Sequence, residues 1–433
     1  MQELGPGLAI IGLLLVLLLC RLPIAFALAG AGMVGLLWAR PVRAVEFLLS
    51  TFAYSATANF AYVVLPLFLF MGSMAFSAGL SRQAFDAGQK WLGRIPGGLA
   101  AATVFGCAAF STICGSSVAT ASTMARVALP EMLRKGYAGS LAAGCIAAGG
   151  TLGVLIPPSG ILVVYSIITD VSLVKLFVAA FVPGILTAII YVIGIMIWVK
   201  LKPEIAPDPR DEAIPTWKER VASIGRTWEL GLLFAAVMGT IYLGVATATE
   251  AAALGAFFAL ISVLRRPGRK NAVLEGLRET GTATCSIFAL IIGAGLFSLG
   301  LSTTGLPVKL AAMVTDLNLS QTATILIILI PFLILGCFVD GLSMILITMP
   351  IVFPIVTAIK FDGVLFGLLV VKMVEIGAIT PPVGLNAFVV KSMAPNIELK
   401  DVFLGCVPFV IMELIIVGLL IAFPQISLFA VGD

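Results

Sequence analysis

The chain has 433 residues, of which 60% are hydrophobic and 11% charged, with a formal net charge of +4. That balance lies far outside the soluble range and describes a polytopic membrane protein; the small positive charge reflects basic loops and points to no nucleic-acid partner. Histidine is absent, which removes His-based proton relays, His metal sites and Ser-His catalysis together.

Hydrocarbon offers no water to pair loose backbone groups, and the apolar runs of 17 to 30 residues lack strand alternation, so an all-α fold of spanning helices is predicted. In chain order, spans are expected near 7–20, 22–39, 54–79, 138–170, 174–199, 228–246, 249–264, 282–302, 363–392 and 402–423, with 7–39 forming two spans or one. The first run flows into Arg21-Leu22-Pro23 rather than a small-residue cleavage site, which predicts a retained N-terminus. The run 98–124 has basic flanks on both sides, Arg82, Lys90 and Arg94 before it and Arg126, Arg134 and Lys135 after it. Equal flanks predict a re-entrant hairpin that enters and leaves on the cytoplasmic side and turns at Cys114-Gly115-Ser116-Ser117. The polar stretch from Lys200 to Arg226 and the basic cluster 265–270 fit the same face. Three short segments, 81–94, 268–281 and 396–403, read either as interfacial amphipathic arms or as plain loops. The seven cysteines lie in apolar runs without metal-ligand spacing and are expected to pack.

The second half repeats the first. Ala78-Gly79-Leu80 matches Thr304-Gly305-Leu306 and Gly115 matches Gly341 at an offset of 226; Gly153 to Gly160 matches Gly377 to Gly384 at 224, and Pro183 matches Pro408 at 225. Residues 1–200 and 228–433 are therefore expected to be two copies joined by a cytoplasmic linker, 201–227. Each copy holds five spans plus a hairpin, and an odd number of crossings turns the second copy upside down. The expectation is an inverted-topology repeat with about 10 to 11 spanning helices, two re-entrant hairpins (near 98–124 and 321–357) and two discontinuous helices (near 153–160 and 377–384). Both termini then lie outside.

Breaks of this kind bring carbonyls and half-helix ends to the membrane midplane, where they can hold a cation and face an anion. In the first half the candidate residues are Ser111, Thr112, Gly115, Ser116, Ser117, Gly153, Pro157 and Ser159. In the second they are Asp340, Gly341, Ser343, Gly377, Thr380, Pro381 and Asn386. Hard oxygen ligands suit Na⁺ better than a transition metal. Two readings stay open for several of them: the serines either bind the ion or bond back to the preceding turn, and Asp340 either faces the cavity or caps the helix that starts at Gly341. Arg126 either attracts a substrate carboxylate or anchors orientation. Glu250 reads as a helix-start carboxylate. No nucleotide loop is present for a primary pump, and no catalytic pair for an enzyme, so an enzyme is not expected; a cation channel or cation/proton antiporter on a similar repeat is the alternative function.

The segments GCAAFSTICGSSVATASTMARVALPEMLRKGY (106–137), AAGGTLGVLIPPS (147–159), FVDGLSMILITMPIVFPI (338–355) and GAITPPVGLNAFVV (377–390) resemble the large membrane (M) subunit of tripartite ATP-independent periplasmic (TRAP) transporters. The resemblance runs over essentially the whole chain. It implies an elevator-type secondary transporter of the bacterial inner membrane, a symporter driven by Na⁺ as coupling ion with no other cofactor. It also implies an organic-acid cargo, a C4-dicarboxylate, sialic acid or similar carboxylate, and two protein partners: a periplasmic substrate-binding protein (P) and a small four-helix membrane (Q) subunit. Two positions depart from the family pattern: Cys114 stands where serine is frequent, and Ala248 where proline is usual.

Overall fold

A computed structural model describes residues 5–208, 215–266, 270–317 and 319–431, with Lys270 described by its backbone alone. The middle of the linker (209–214) and positions 267–269 of the basic cluster lie outside the described residues. Among the described residues every regular element is helical. Five helices are long and apolar enough to cross a bilayer alone: Phe60–Ser77, Leu173–Leu201, Asn271–Ser302, Gly341–Ala358 and Leu399–Ala422. Two bent pairs pass the same test together, Gly139–Leu155 with Gly160–Thr169 and Trp217–Arg226 with Trp228–Tyr242; in the second pair the polar first helix belongs to the linker and the apolar second helix to the bilayer. Gly341–Ala358 passes this test by length alone; its position beside a tight turn makes it the second leg of a hairpin. Residues 7–39 form two helices, Gly5–Leu19 and Ile24–Ala39, parted at Pro23, each only 15 or 16 residues long.

The repeat is visible in the helix boundaries. Gly139–Leu155 and Gly363–Ile379 each have 17 residues and start 224 positions apart. Both are buried along nearly their whole length, as expected for helices at the centre of a bundle; the first is apolar all round, and the second is apolar but for Lys372 and Glu375. The halves interlock crosswise. The first hairpin's second leg, Ser117–Arg134, packs on Leu385–Met393 of the second half, and Gly341–Ala358 packs reciprocally on Gly160–Thr169. Likewise Ile24–Ala39 packs on Lys270–Ser302, and Val64–Ser77 on Ala248–Leu264.

Several expected boundaries move. The first hairpin runs over Gly98–Cys114 and Ser117–Arg134, beyond 124, because Pro130 lies inside its second leg without ending it. The span expected at 54–79 is interrupted: Val42–Thr57 ends, the Asn59 side chain accepts from Ala61 N to start a 3₁₀ turn, and Val64–Ser77 follows. Its counterpart, Lys270–Ser302, is continuous for 33 residues and absorbs most of the segment 268–281. The segment 396–403 likewise feeds into the last span from Leu399. Only Leu80–Leu92 is a separate amphipathic arm, and it has a partner in the repeat, Leu306–Asp316. Each starts after a left-handed glycine, Gly79 at φ 75° and Gly305 at φ 69°, where a Cβ would be strained.

Candidate functional site

The first hairpin turns in two residues. Gly115 takes φ 63° and ψ 14°, and Ser116 is extended, with its Oγ accepting from Ala119 N at 3.4 Å to cap the second leg. The tip is tied to the first break, because Gly160 N donates to Gly115 O at 3.3 Å. A side chain at 115 would collide with the Pro158 carbonyl. The second tip is two residues longer, Cys337 to Asp340. Asp340 caps Gly341–Ala358: Oδ1 accepts from Leu342 N and Ser343 N, both at 3.1 Å, and Oδ2 accepts the Ser343 hydroxyl. The extra residues shift the equivalence. Helix starts at Ser117 and Gly341 make Ser116 and Asp340 the matching caps, at an offset of 224, in place of Gly115 and Gly341 at 226.

Each helix break follows from proline chemistry. Pro157 and Pro158 lack the N–H groups that Gly153 O and Val154 O need, and Pro381 and Pro382 remove those of Gly377 O and Ala378 O. Both Pro-Pro bonds are cis. One carbonyl of each pair is rescued locally: the Ser159 hydroxyl donates to Val154 O at 2.5 Å, and Thr380 N donates to Gly377 O at 3.2 Å. Gly153 O and Ala378 O are left as the acceptors whose helical donors proline has removed. Beyond the breaks, Ser159 caps Gly160–Thr169 through its Oγ, and Gly384, at φ 59°, precedes Leu385–Met393.

Both tips and both breaks meet at one cavity of about 180 Å³, with Ser116, Ser117, Gly160, Asp340, Gly341 and Ala378 among its walls. Leu65, Phe68 and Ile287 close it from the helices outside the hairpins. The structure thus brings Gly115, Ser116, Ser117, Asp340 and Gly341 together. Other candidates stand back from the cavity. Ser111 and Thr112 bond back to Cys107 O and Ala109 O, and Thr380 to Ile376 O at 2.6 Å. Ser343 is held by Asp340, and Ser159 by Val154 O. Gly153 lies beneath the first tip, where a Cβ would meet Ser116 O, and Gly377 lies against the backbone of Gly336. Pro157 and Pro381 act by shaping the chain. Asn386 is buried, donates to Ala147 O at 3.2 Å, and keeps an Oδ1 without a partner.

Arg126 is exposed and lines a second pocket of about 430 Å³ with Ser116, Ser122, Thr123, Ser73 and Glu279. Its guanidinium lies 5.9 Å from the Phe76 ring centroid. The two pockets share Leu69, Cys114, Ser116 and Val118 and so adjoin. Ser73 Oγ donates to Glu279 Oε2 at 2.8 Å. No group of three or more His, Cys, Asp or Glu side chains suited to a metal ion occurs among the described residues. Sequence reasoning missed Glu279, and it also missed a wholly buried charged group formed by Lys372, Glu375 and Glu413. A signal existed for the latter: all three are charges inside apolar runs, and such residues are expensive unless paired.

Comparison with known proteins agrees with this architecture. Residues 11–426 match the model of the family described as tripartite ATP-independent periplasmic transporter, DctM component. The chain is 35% identical over 378 residues to the C4-dicarboxylate TRAP transporter large permease protein of Pseudomonas aeruginosa, covering 87% of each. It is 31% identical over 382 residues to the isethionate TRAP transporter permease protein DctMQ of Oleidesulfovibrio alaskensis, covering 88% of this chain and 59% of that one. In fold it is similar to the Alcanivorax borkumensis YdaH transporter, with a TM-score of 0.64 at 14% identity over 99% of this chain and 100% of that one. A family match over nearly the full length, together with paired hairpins and paired proline breaks, places the chain in the DctM family of large TRAP transporter permeases, a multi-pass membrane transporter family rather than a class of enzyme.

Proposed function

We propose that this chain is the sodium-coupled translocation subunit of an organic-acid importer in the bacterial inner membrane. The observation that carries the reading is the convergence of two hairpin tips and two helix breaks on one small cavity. Oxygen atoms dominate its polar surface: the Ser116 and Asp340 side chains and carbonyls at the breaks. An anionic cavity rim with loose carbonyls suits a hard monovalent cation. One Na⁺ belongs with Gly115 and Ser116, and a second with Asp340, Gly341 and the Ala378 carbonyl. A bound cation offsets the charge of a carboxylate in the same low-dielectric space, which couples the two. Arg126, in the adjoining pocket, supplies the charge that draws the acid in. The hairpins and broken spans form the moving unit of an elevator, and the helices that close the cavity from outside form its frame.

Relatives named for C4-dicarboxylate and for isethionate support an organic acid as cargo. The combined permease among them, of which this chain spans 59%, supports a small Q subunit as partner. A periplasmic binding protein delivers the acid, since the longest polar stretch here is a linker of fewer than about thirty residues, too short for a receptor domain. The test is uptake into proteoliposomes holding this chain, its Q subunit and the binding protein, with a panel of acids. Uptake that needs all three proteins and an inward Na⁺ gradient is the expected result. Equal uptake by the chain alone, or cation flux without any acid, would replace this reading with an antiporter or a channel.

A further inference from the structure

Lys372 is wholly buried, as are Glu375 and Glu413. Its ammonium has three partners: Glu375 Oε2 at 2.6 Å, Thr187 Oγ1 at 2.7 Å and Glu413 Oε2 at 3.0 Å. The contacts to Glu375 and Thr187 are hydrogen bonds and the third is an ion pair, which leaves Glu413 Oε2 and Glu375 Oε1 without a hydrogen-bond partner. Tyr191 donates to the remaining oxygen of Glu413 at 2.5 Å. The group spans three helices: Gly363–Ile379, which leads into the second break, and Leu173–Leu201 and Leu399–Ala422, the last spans of the two halves.

The repeat gives this arrangement a meaning. Leu173–Leu201 and Leu399–Ala422 are the corresponding last spans, with Pro183 and Pro408 matched at an offset of 225, so Thr187 and Glu413 lie within one residue of equivalence. Lys372 therefore sits between the corresponding last spans of the two halves. At the offset of 224, the equivalents of Lys372 and Glu375 are Ala148 and Thr151 in Gly139–Leu155. Only the second broken span carries the charged clamp. Packing and a single hydrogen bond, from Asn386 Nδ2 to Ala147 O, tie the first to the second half.

We infer that Lys372 is a positioning residue for the second cation site, a role that rests on the cation reading above. It fixes the rotation and height of Gly363–Ile379 against both last spans. Gly377 and Ala378, the residues whose carbonyl donors the prolines remove, lie five and six positions on, less than two turns along the same rigid helix. A buried ion pair set by two hydrogen bonds and a third ionic contact specifies one register, whereas apolar side chains of the same volume tolerate several. The first site has no such device, so the two cation sites differ in rigidity although their breaks are alike.

The test separates positioning from stability. Losing one partner of a buried pair endangers folding, while replacing the whole group by apolar residues of similar volume leaves stability little changed. The variants are K372M alone and the apolar triple K372M/E375L/E413L, assayed in the reconstituted transporter for melting temperature, maximal uptake rate and half-saturating Na⁺. The triple is expected to melt near the wild type and to need at least about tenfold more Na⁺, because ligands displaced by on the order of 1 Å bind poorly. K372M alone is expected to melt lower, and K372R to recover part of the Na⁺ affinity. A well-folded triple with wild-type half-saturating Na⁺ would overturn the inference and leave the cluster a structural tie. A triple that does not fold would also overturn it, by showing that the charges are needed for stability itself. Failure of the cation reading shows separately, as wild-type uptake that ignores Na⁺.

Discussion

Asp340 gives one carboxylate two tasks, capping a helix and facing a cavity, and the two separate by substitution. Asparagine caps as well as aspartate, so D340N keeps the start of Gly341–Ala358 while removing the charge and the Oδ2 acceptor of the Ser343 hydroxyl. The expected outcome is an unchanged melting temperature with a raised half-saturating Na⁺ in uptake assays. D340A loses the cap as well and is expected to lose about 1 kcal/mol of stability. Of the alternatives open for this residue in the sequence, the structure forms the cap, and it also places Asp340 among the residues around the cavity. The carboxylate was legible because an acid in an apolar run must have a reason. The fate of the serines was not, because back-bonding to the preceding turn and facing a cavity use the same residue type, and only the rotation of the helix decides. A second residue-scale prediction concerns the linker. Hydrogen bonds from the Thr216 backbone and hydroxyl hold the Glu219 carboxyl below the usual range. A lowered value means the capping box is complete above the ordinary carboxylate pKa and is lost as pH falls through the lowered one. The Thr216 amide, which donates to the Glu219 carboxylate, should therefore lose protection relative to its intrinsic exchange rate at acid pH, and E219A should show that lower protection at neutral pH.

At the scale of elements, the hairpin and the broken span of the second half touch through backbone. Gly336, the last residue of the first hairpin leg, lies against Gly377, and a Cβ on Gly377 would fall on the carbonyl carbon, Cα and oxygen of Gly336. Backbone cannot rotate aside, so G377A must push the two elements apart, at a cost of about 1 to 3 kcal/mol. Uptake should fall steeply in this variant. G418A, in the last span with nothing within 4 Å of its added methyl, should leave uptake and melting temperature unchanged. The breaks were legible in the sequence because proline removes particular donors, wherever the helix lies. Element lengths were less so. The break at Asn59 carries no proline, and it was missed because the apolar run continues straight through it. Leu306–Asp316 was missed for the opposite reason, since its apolar composition hides a short arm between two longer runs.

Across the whole molecule, the internal repeat was the most readable feature, yet its offset drifts from 226 at the arms to 224 at the breaks and back to 226 at the last spans. Tip and loop lengths change between the copies, while the buried helices keep their length because packing fixes it. If Gly5–Leu19 and Ile24–Ala39, both shorter than a full span, each cross, the first half crosses five times: through these two, the helix ending at Ser77, the broken span ending at Thr169 and Leu173–Leu201. The hairpin returns to its own side and adds none. Five crossings are an odd number, so the linker lies opposite the N-terminus, and its Lys and Arg residues, like those at the end of the first hairpin, belong on the cytoplasmic face. The second half again crosses five times, through Trp228–Tyr242, Ala248–Leu264, Lys270–Ser302, the second broken span and Leu399–Ala422. The chain must then end where it began. A reporter active only outside the membrane should be active when fused to either terminus and silent when inserted in the linker between Pro207 and Pro215. A reporter active only in the cytoplasm should give the opposite pattern. If the two termini reported opposite sides, one half would have an even number of crossings, the halves would be parallel, and the shared cation cavity between oppositely oriented hairpins would have to be given up.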